Sequence, residues 1–380
     1  MKSLMNTADV IVVGGGLHGC SAALHLARRG VSVIVLEKDH VARHASGVNA
    51  GGVRRLGRDP AEVPISAAAS EYWQNIEALV DDDCGYRQSR QIKVAENTDD
   101  LEAARRRVDV LRQQGFTHEE VIDRDRLRAF MPAVADHCLG ALHVDGDGSA
   151  QPFKTTQAFR RRAETLGVRF AEGTPVEQVS RTSNGWRVST PKGGVTGGAL
   201  VNAAGAWGAR IAAMLGEDIP LAARAPMLAI TAPLPHFVAP VVGVMGDVLS
   251  LKQFENGTVL IGGGRQGVAY PDENRTTVDL AGIAKCLATA RRIFPVLKDA
   301  TVVRTWAGIE GYTPDNLPII GLGQEPGVVH AFGFSAHGFQ LGPAVGAIVA
   351  DLVQHGQSAL PIEAFRPDRV LHVEQLLQAG

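Results

Sequence analysis

Residues 9–37, DVIVVGGGLHGCSAALHLARRGVSVIVLE, narrow what this chain can fold into more than any other stretch. Residues 10–13 form an unbroken run of β-branched side chains, as in a strand buried on both faces. Gly14, Gly16 and Gly19 follow in G-x-G-x-x-G spacing. The first glycine permits a tight turn, the second lets backbone approach a pyrophosphate, and the third lets helix and strand pack closely. A helix over 17–29 then aims its free N–H groups and positive dipole end at that phosphate, and Gly30 closes it. Residues 31–36 read as a second strand. Glu37 stands at its end, eighteen residues past Gly19, about where an acid accepts hydrogen bonds from an adenosine ribose. The acid disfavours NADP and does not separate NAD from FAD.

Other properties of the chain exclude whole classes of function. At 380 residues it divides into two domains, and 45% apolar residues supply a sizeable core. A formal charge of −2 gives no electrostatic case for nucleic acid. Arg105, Arg106 and Arg107 lie on a helical stretch and read as a solvated face. Cys20, Cys84, Cys138 and Cys286 stand apart with no C-x-x-C pair, so no metal site is expected and a reducing cytoplasm fits. The apolar start is broken by glycines and His18 and carries Arg28 and Arg29, so it reads as the first βα unit rather than a signal or membrane segment.

Along the chain, residues 40–58 form a glycine-rich loop over the switch point where open α/β sheets bind ligands. Helices are expected over 61–80, 99–114, 124–130, 153–166 and 276–294. Strands are expected over 91–95, 168–172 and 199–204, with a hairpin over 176–180 and 186–190. Residues 228–260 alternate apolar runs with prolines and suggest an antiparallel sheet. The last segment returns with a strand over 328–332 and a helix over 344–353, Pro343 opening its first turn. Gly262, Gly264 and Gly267 repeat the glycine spacing, but neither a helix nor a strand-end acid follows, so they read as a strand end with a glycine turn.

Several separated pieces then fit one pattern: VVGGGLHG, ASGVNAGG, GDGSAQP, LVNAAGAW, NGTVLIGGG, WAGIEGYTPDNLPIIG and GFSAHGFQLGPA. In that order, over nearly the full length, the chain resembles the D-amino acid oxidase and sarcosine oxidase (DAO) family of FAD-dependent amine oxidoreductases. The sarcosine oxidase β-subunit-like branch is nearest. The fold implied is α/β: a Rossmann-like FAD-binding domain of the glutathione-reductase type, with an inserted α+β substrate domain built on an antiparallel sheet. Residues 1–85, 140–220 and 300–380 are assigned to the first domain, and 86–139 and 221–299 to the second.

The resemblance implies extended, non-covalent FAD. Gly14, Gly16 and Gly19 line its diphosphate, and Glu37 its ribose, with Lys38 beside it. Ser46, Gly47, Gly51 and Gly52 approach the phosphates and ring edge. Val176 meets the adenine, and Ala204 and Gly205 pass close by. Gly338, Phe339 and Gln340 offer backbone groups to the flavin pyrimidine. A cysteine that tethers flavin in monomeric sarcosine oxidase falls at Gly308, which excludes that bond. His44 matches the tethering histidine of dimethylglycine dehydrogenases and otherwise serves as a hydrogen-bonding group.

The reaction implied is oxidation of a C–N bond in a small amino acid or secondary amine, by hydride transfer to flavin N5 and hydrolysis of the imine. Arg54 matches a substrate-carboxylate arginine, with Arg55 its lesser neighbour. Glu310 falls where glycine and D-amino acid oxidases clamp the carboxylate with arginine. It argues for a substrate with an extra ammonium or hydroxyl, or else pairs with an arginine. Gln340 replaces a carboxylate-binding lysine, and His337 orders substrate or water, or holds its loop. LIGGGRQG offers no lysine to promote reaction with oxygen, which favours a dehydrogenase or an oxidase subunit that needs partners. The acceptor is then oxygen, a quinone or a protein. An NAD-linked dehydrogenase, or an FAD-binding subunit without activity alone, remains as an alternative.

Overall fold

A computed structural model describes residues 7–370. The N-terminal stretch forms strand Thr7–Val13, helix Leu17–Ala27 and strand Val33–Leu36. Gly14 takes φ +108°, and a Cβ there would lie 2.4 Å from the Ala203 carbonyl oxygen, so the turn requires glycine. The second strand starts later than its apolar run, after Asp9 has taken the Ser32 N–H and hydroxyl at 2.8 and 2.6 Å.

Those strands pair in parallel, Val10 beside Val33, and strand Gly193–Asn202 joins on the other side with Ala199 beside Val10. Arg169–Ala171 and Val328–Phe332 extend the eight-stranded sheet in parallel. The hairpin Gln178–Thr182 with Gly185–Thr190 and the strand Ile319–Leu322 are antiparallel additions.

A second sheet has ten strands. It is antiparallel except where Val241–Val244 runs parallel to Gln91–Ala95. These two strands come from separate insertions, so no hairpin dictates their direction. Gly140–Val144 pairs with Gln91–Ala95 and Glu120–Asp123, while Val302–Ala307 and Glu310–Tyr312 pair with Ala222–Thr231. The sequence places both segments in the FAD-binding part, but their apolar patterns suit either sheet and their partners decide.

Three other expectations are corrected. The helix over 61–80 is two, Val63–Gln74 and Ile76–Val80, broken at Asn75. Arg275–Thr277 is a strand, and the following helix, Leu280–Ile293, starts where the Asp279 carboxylate caps the Ala281 and Gly282 N–H groups, each at 3.0 Å. The last helix is Gly338–His355, so Pro343 lies in its second turn and Gly338, Phe339 and Gln340 form its first. Gly262, Gly264 and Gly267 lie within strand Val259–Tyr270, as a non-nucleotide reading requires.

The last helix crosses the first at very short range. A Cβ on Gly338 would lie 2.7 Å from His18 Cε1, one on Gly342 2.5 Å from Leu17 Cδ2, and one on Gly346 2.1 Å from Ser21 Oγ. Glycines four apart share one helix face. This stripe lets the two backbones approach and brings both helix N-termini to one cavity.

Candidate active site

The cavity has a volume of about 950 Å³ and is lined by both sheets. At one end stand Gly14, Gly16, Leu17, Glu37, Lys38, Val176, Ala204 and Gly205. The Glu37 carboxylate accepts from Gly15 N at 2.7 Å and Asp39 N at 2.8 Å, tying the glycine turn to the end of the second strand. Burial pushes its carboxyl up, against those two bonds. Ser46 Oγ accepts from Leu17 N at 2.9 Å, and a Cβ on Gly16 would lie 2.9 Å from that hydroxyl. A bare backbone cradle, a helix N-terminus and a buried acid therefore share one wall. These residues fit a dinucleotide's diphosphate and ribose.

His44 also lines the cavity, with Nε2 2.7 Å from Asp39 Oδ2 and 3.1 Å from Lys38 Nζ. Burial lowers its pKa to about 4. Lys38 lies 4.0 Å over the Trp207 ring and donates to Asn274 Oδ1, which links the two sheets' loops. Gly51 and Gly52 line the middle, and Gly51 takes φ +69° with the Ala150 carbonyl 2.2 Å from its would-be Cβ. Gly308 also lines it, and a Cβ there would lie 2.7 Å from Val48 Cγ2.

Three expected cofactor contacts do not reach the cavity. A Cβ on Gly19 would lie 1.9 Å from Gly14 O, and one on Gly47 1.9 Å from Ala42 O, so both glycines serve close packing. Gln340 is 1% exposed: its side chain accepts from Arg58 Nη2 at 3.1 Å and donates to Ser66 O at 2.8 Å. Its carbonyl accepts from Trp73 Nε1 at 2.8 Å. Gln340 thus anchors the last helix from behind, while Gly338 and Phe339 line the cavity.

Arg54, His337 and Glu310 line the same cavity. Arg54 gives one bond, from Nη1 to Leu56 O at 2.7 Å. Among the described residues no carboxylate pairs with it. His337 Nδ1 lies 2.9 Å from Glu62 Oε2. Burial raises the Glu62 carboxyl, but the His337 hydrogen bond and Arg58 outweigh it and hold the group below the ordinary range. Glu62 is then ionised, His337 Nδ1 donates, and Nε2 is left as an acceptor. Glu310 Oε1 accepts from Ala336 N at 2.8 Å and no described cation pairs with it. Arg224, opposite it on the next strand, instead covers the Tyr312 ring at 4.8 Å. Burial raises the Glu310 carboxyl to about 7.

Sequence reasoning missed the support for these residues. Arg58 is 1% exposed and binds the His337 carbonyl at 2.9 Å, Glu62 at 3.3 Å and Gln340. Asp147, in GDGSAQP, accepts from the Arg55 and Leu56 N–H groups at 2.8 and 2.9 Å and so fixes the loop that carries Arg54. Lys93 enters from strand Gln91–Ala95. The i,i+4 spacing of Arg58 and Glu62 was the available signal.

A family model described as DAO, FAD dependent oxidoreductase, matches residues 9–352. An opine oxidase subunit of Rhizobium meliloti is 28% identical over 96% of this chain and 98% of its own length. Glycine oxidase of Geobacillus kaustophilus is 26% identical over 94% and 96%. The crystal structure of L-proline dehydrogenase from P. horikoshii superposes with TM-score 0.89 at 28% identity, over 97% of this chain and 99% of that one.

Proposed function

We take as premise that the chain belongs to the DAO family of FAD-dependent oxidoreductases, and propose from it how its residues oxidise an amine or amino acid. FAD, when bound, supplies the hydride acceptor. Gly14, Gly16 and the N-terminus of helix Leu17–Ala27 would hold its diphosphate, Glu37 its ribose, and Gly51, Gly52, Gly308, Gly338 and Phe339 its ring. His44 is read as a hydrogen-bonding wall residue, engaged with Asp39, and not as a covalent tether.

The substrate carboxylate pairs with Arg54, whose guanidinium retains donors that the chain does not use. Glu310 accepts a hydrogen bond from the substrate nitrogen, a role its lack of a cation partner leaves open. His337, fixed through Nδ1 by Glu62, presents Nε2 as an acceptor for substrate or water. The Cα–H bond breaks as hydride, the nitrogen gives up a proton, and C=N forms. Water then adds and releases amine and carbonyl compound. The observation that carries this reading is that Arg54, His337 and Glu310 line the same cavity as the glycine turn. Anaerobic mixing of the holoenzyme with sarcosine, proline derivatives, D-amino acids and opines tests it, with bleaching by at least one panel member expected. No bleaching by any of them sinks it.

The similarity to a protein named as a subunit favours a chain that works within a hetero-oligomer and passes electrons to a partner, a quinone or oxygen. Stopped-flow reoxidation in air is expected to be slow; rapid return of oxidised flavin rules out the dehydrogenase reading.

A further inference from the structure

Of the cations at the end of the cavity proposed for the substrate, two have no carboxylate partner among the described residues. Arg58 pairs with Glu62 at 3.3 Å and Arg107 with Glu119 at 2.7 Å. Asp147 neutralises the neighbourhood of Arg55 through the backbone. Arg54 and Lys93 remain. They come from different sheets' segments, yet a Cβ built on Gly57 would lie 2.9 Å from Lys93 Nζ and 3.9 Å from Arg54 Nη1. Both line the cavity and are half-buried. The Lys93 ammonium has no hydrogen-bond or ion-pair partner among the described residues. Burial first, then the like charges of Arg54 and Arg107, lower its pKa to about 8.

A purely structural Lys93 would need only its stem, whose Cγ would lie 3.4 Å from a Cβ built on Gly243; an apolar side chain would fill that role without placing a second cation beside Arg54. Two like charges in a partly dry wall are unfavourable unless a ligand brings the opposite sign. One carboxylate satisfies a guanidinium fork and leaves the ammonium over.

We propose that Lys93 binds a second carboxylate beside the one held by Arg54, so that the preferred substrate is an amine bearing two carboxylates rather than a monocarboxylate amino acid. This rests on the reading of Arg54 as a carboxylate anchor. Glu310, on the same cavity, then faces the amine that joins or flanks the two arms.

The test is equilibrium titration of the holoenzyme's flavin spectrum with inert acids of matched length: butyrate and pentanoate against succinate and glutarate. The dicarboxylates are expected to bind at least about tenfold more tightly to the wild type. Lys93→Met should erase that advantage and leave monocarboxylate affinity within about twofold, while Lys93→Arg retains it. Flavin content equal to wild type in each variant certifies the fold. Equal losses for both classes of acid in Lys93→Met, or no losses, overturn the proposal. Arg54→Met separates it from its premise. If monocarboxylates bind through Arg54 and dicarboxylates bind no better, the second site alone fails. If no carboxylate perturbs the wild-type flavin, the Arg54 anchor fails with it.

Discussion

The two ends of the cavity are built from different materials. The nucleotide end is made of backbone: Gly14 and Gly16 leave room, a helix presents its N–H groups, and Glu37 ties the turn together. The end proposed for the substrate is made of charged side chains held by one another, with Arg58 joining Glu62, His337 and Gln340. Backbone recognition tolerates almost no change of residue at its glycines and is indifferent to pH. Side-chain recognition can be retuned one residue at a time and titrates.

That contrast can be broken most directly at Gly19. Gly19→Val places a side chain where even a Cβ meets Gly14 O at 1.9 Å, and should cost more than about 4 kcal/mol. The expected outcome is insoluble or FAD-free protein, read from the ratio of flavin to protein absorbance. A yellow, stable variant would show that the turn has slack.

Next in size is Arg54→Met. It should lower kcat/KM by about 10²- to 10³-fold, roughly 3–4 kcal/mol of transition-state binding, while flavin content holds. Loss of flavin instead would move Arg54 from the substrate end to the cofactor's.

Glu310→Gln sharpens the comparison through pH. The wild-type carboxyl titrates near 7, so kcat/KM should rise as pH passes that value and the Gln variant should lose the limb. Stability runs the other way. Because the folded pKa lies above the ordinary carboxyl value, this group's contribution is complete below about pH 4.5 and is lost as pH rises through about 7. The Gln variant should therefore be more stable than wild type at pH 8 by about 1–2 kcal/mol, the cavity-facing carboxyl being partly solvated, and nearly equal at pH 4.5. A Tm difference independent of pH would remove Glu310 from this role.

The smallest expected effect is at Gln340→Ala, about 1–2 kcal/mol of stability in denaturant melts, with the substrate panel unchanged. A changed panel would return Gln340 to the site.

The same contrast explains what could be read in advance. The nucleotide end was legible because its residues are close in sequence: Gly14, Gly16 and Glu37 announce themselves by spacing alone. Arg54, Glu310 and His337 were singled out only through resemblance, since they lie far apart in sequence; the structure lines one cavity with them. Arg58 and Glu62 offered only their i,i+4 spacing, and Lys93 carried no motif, its place appearing only when strand Gln91–Ala95 is laid against the glycine-rich loop. Gln340 misled because its neighbours Gly338 and Phe339 do line the cavity while the helical turn carries it to the opposite face. The pairing of the strands near 140 and 300 with the second sheet was not legible because strand pairing is a long-range property that local patterns do not specify.

The glycine face of helix Gly338–His355 also has a consequence for biosynthesis. The helix that carries Leu17 and Ser21 is translated more than three hundred residues before the surface that covers those two residues. Until then the face of that helix around Leu17 lacks its native cover, so vectorial folding cannot finish the N-terminal unit. A stop codon placed before Gly338 would therefore yield a client for chaperones rather than a shorter enzyme.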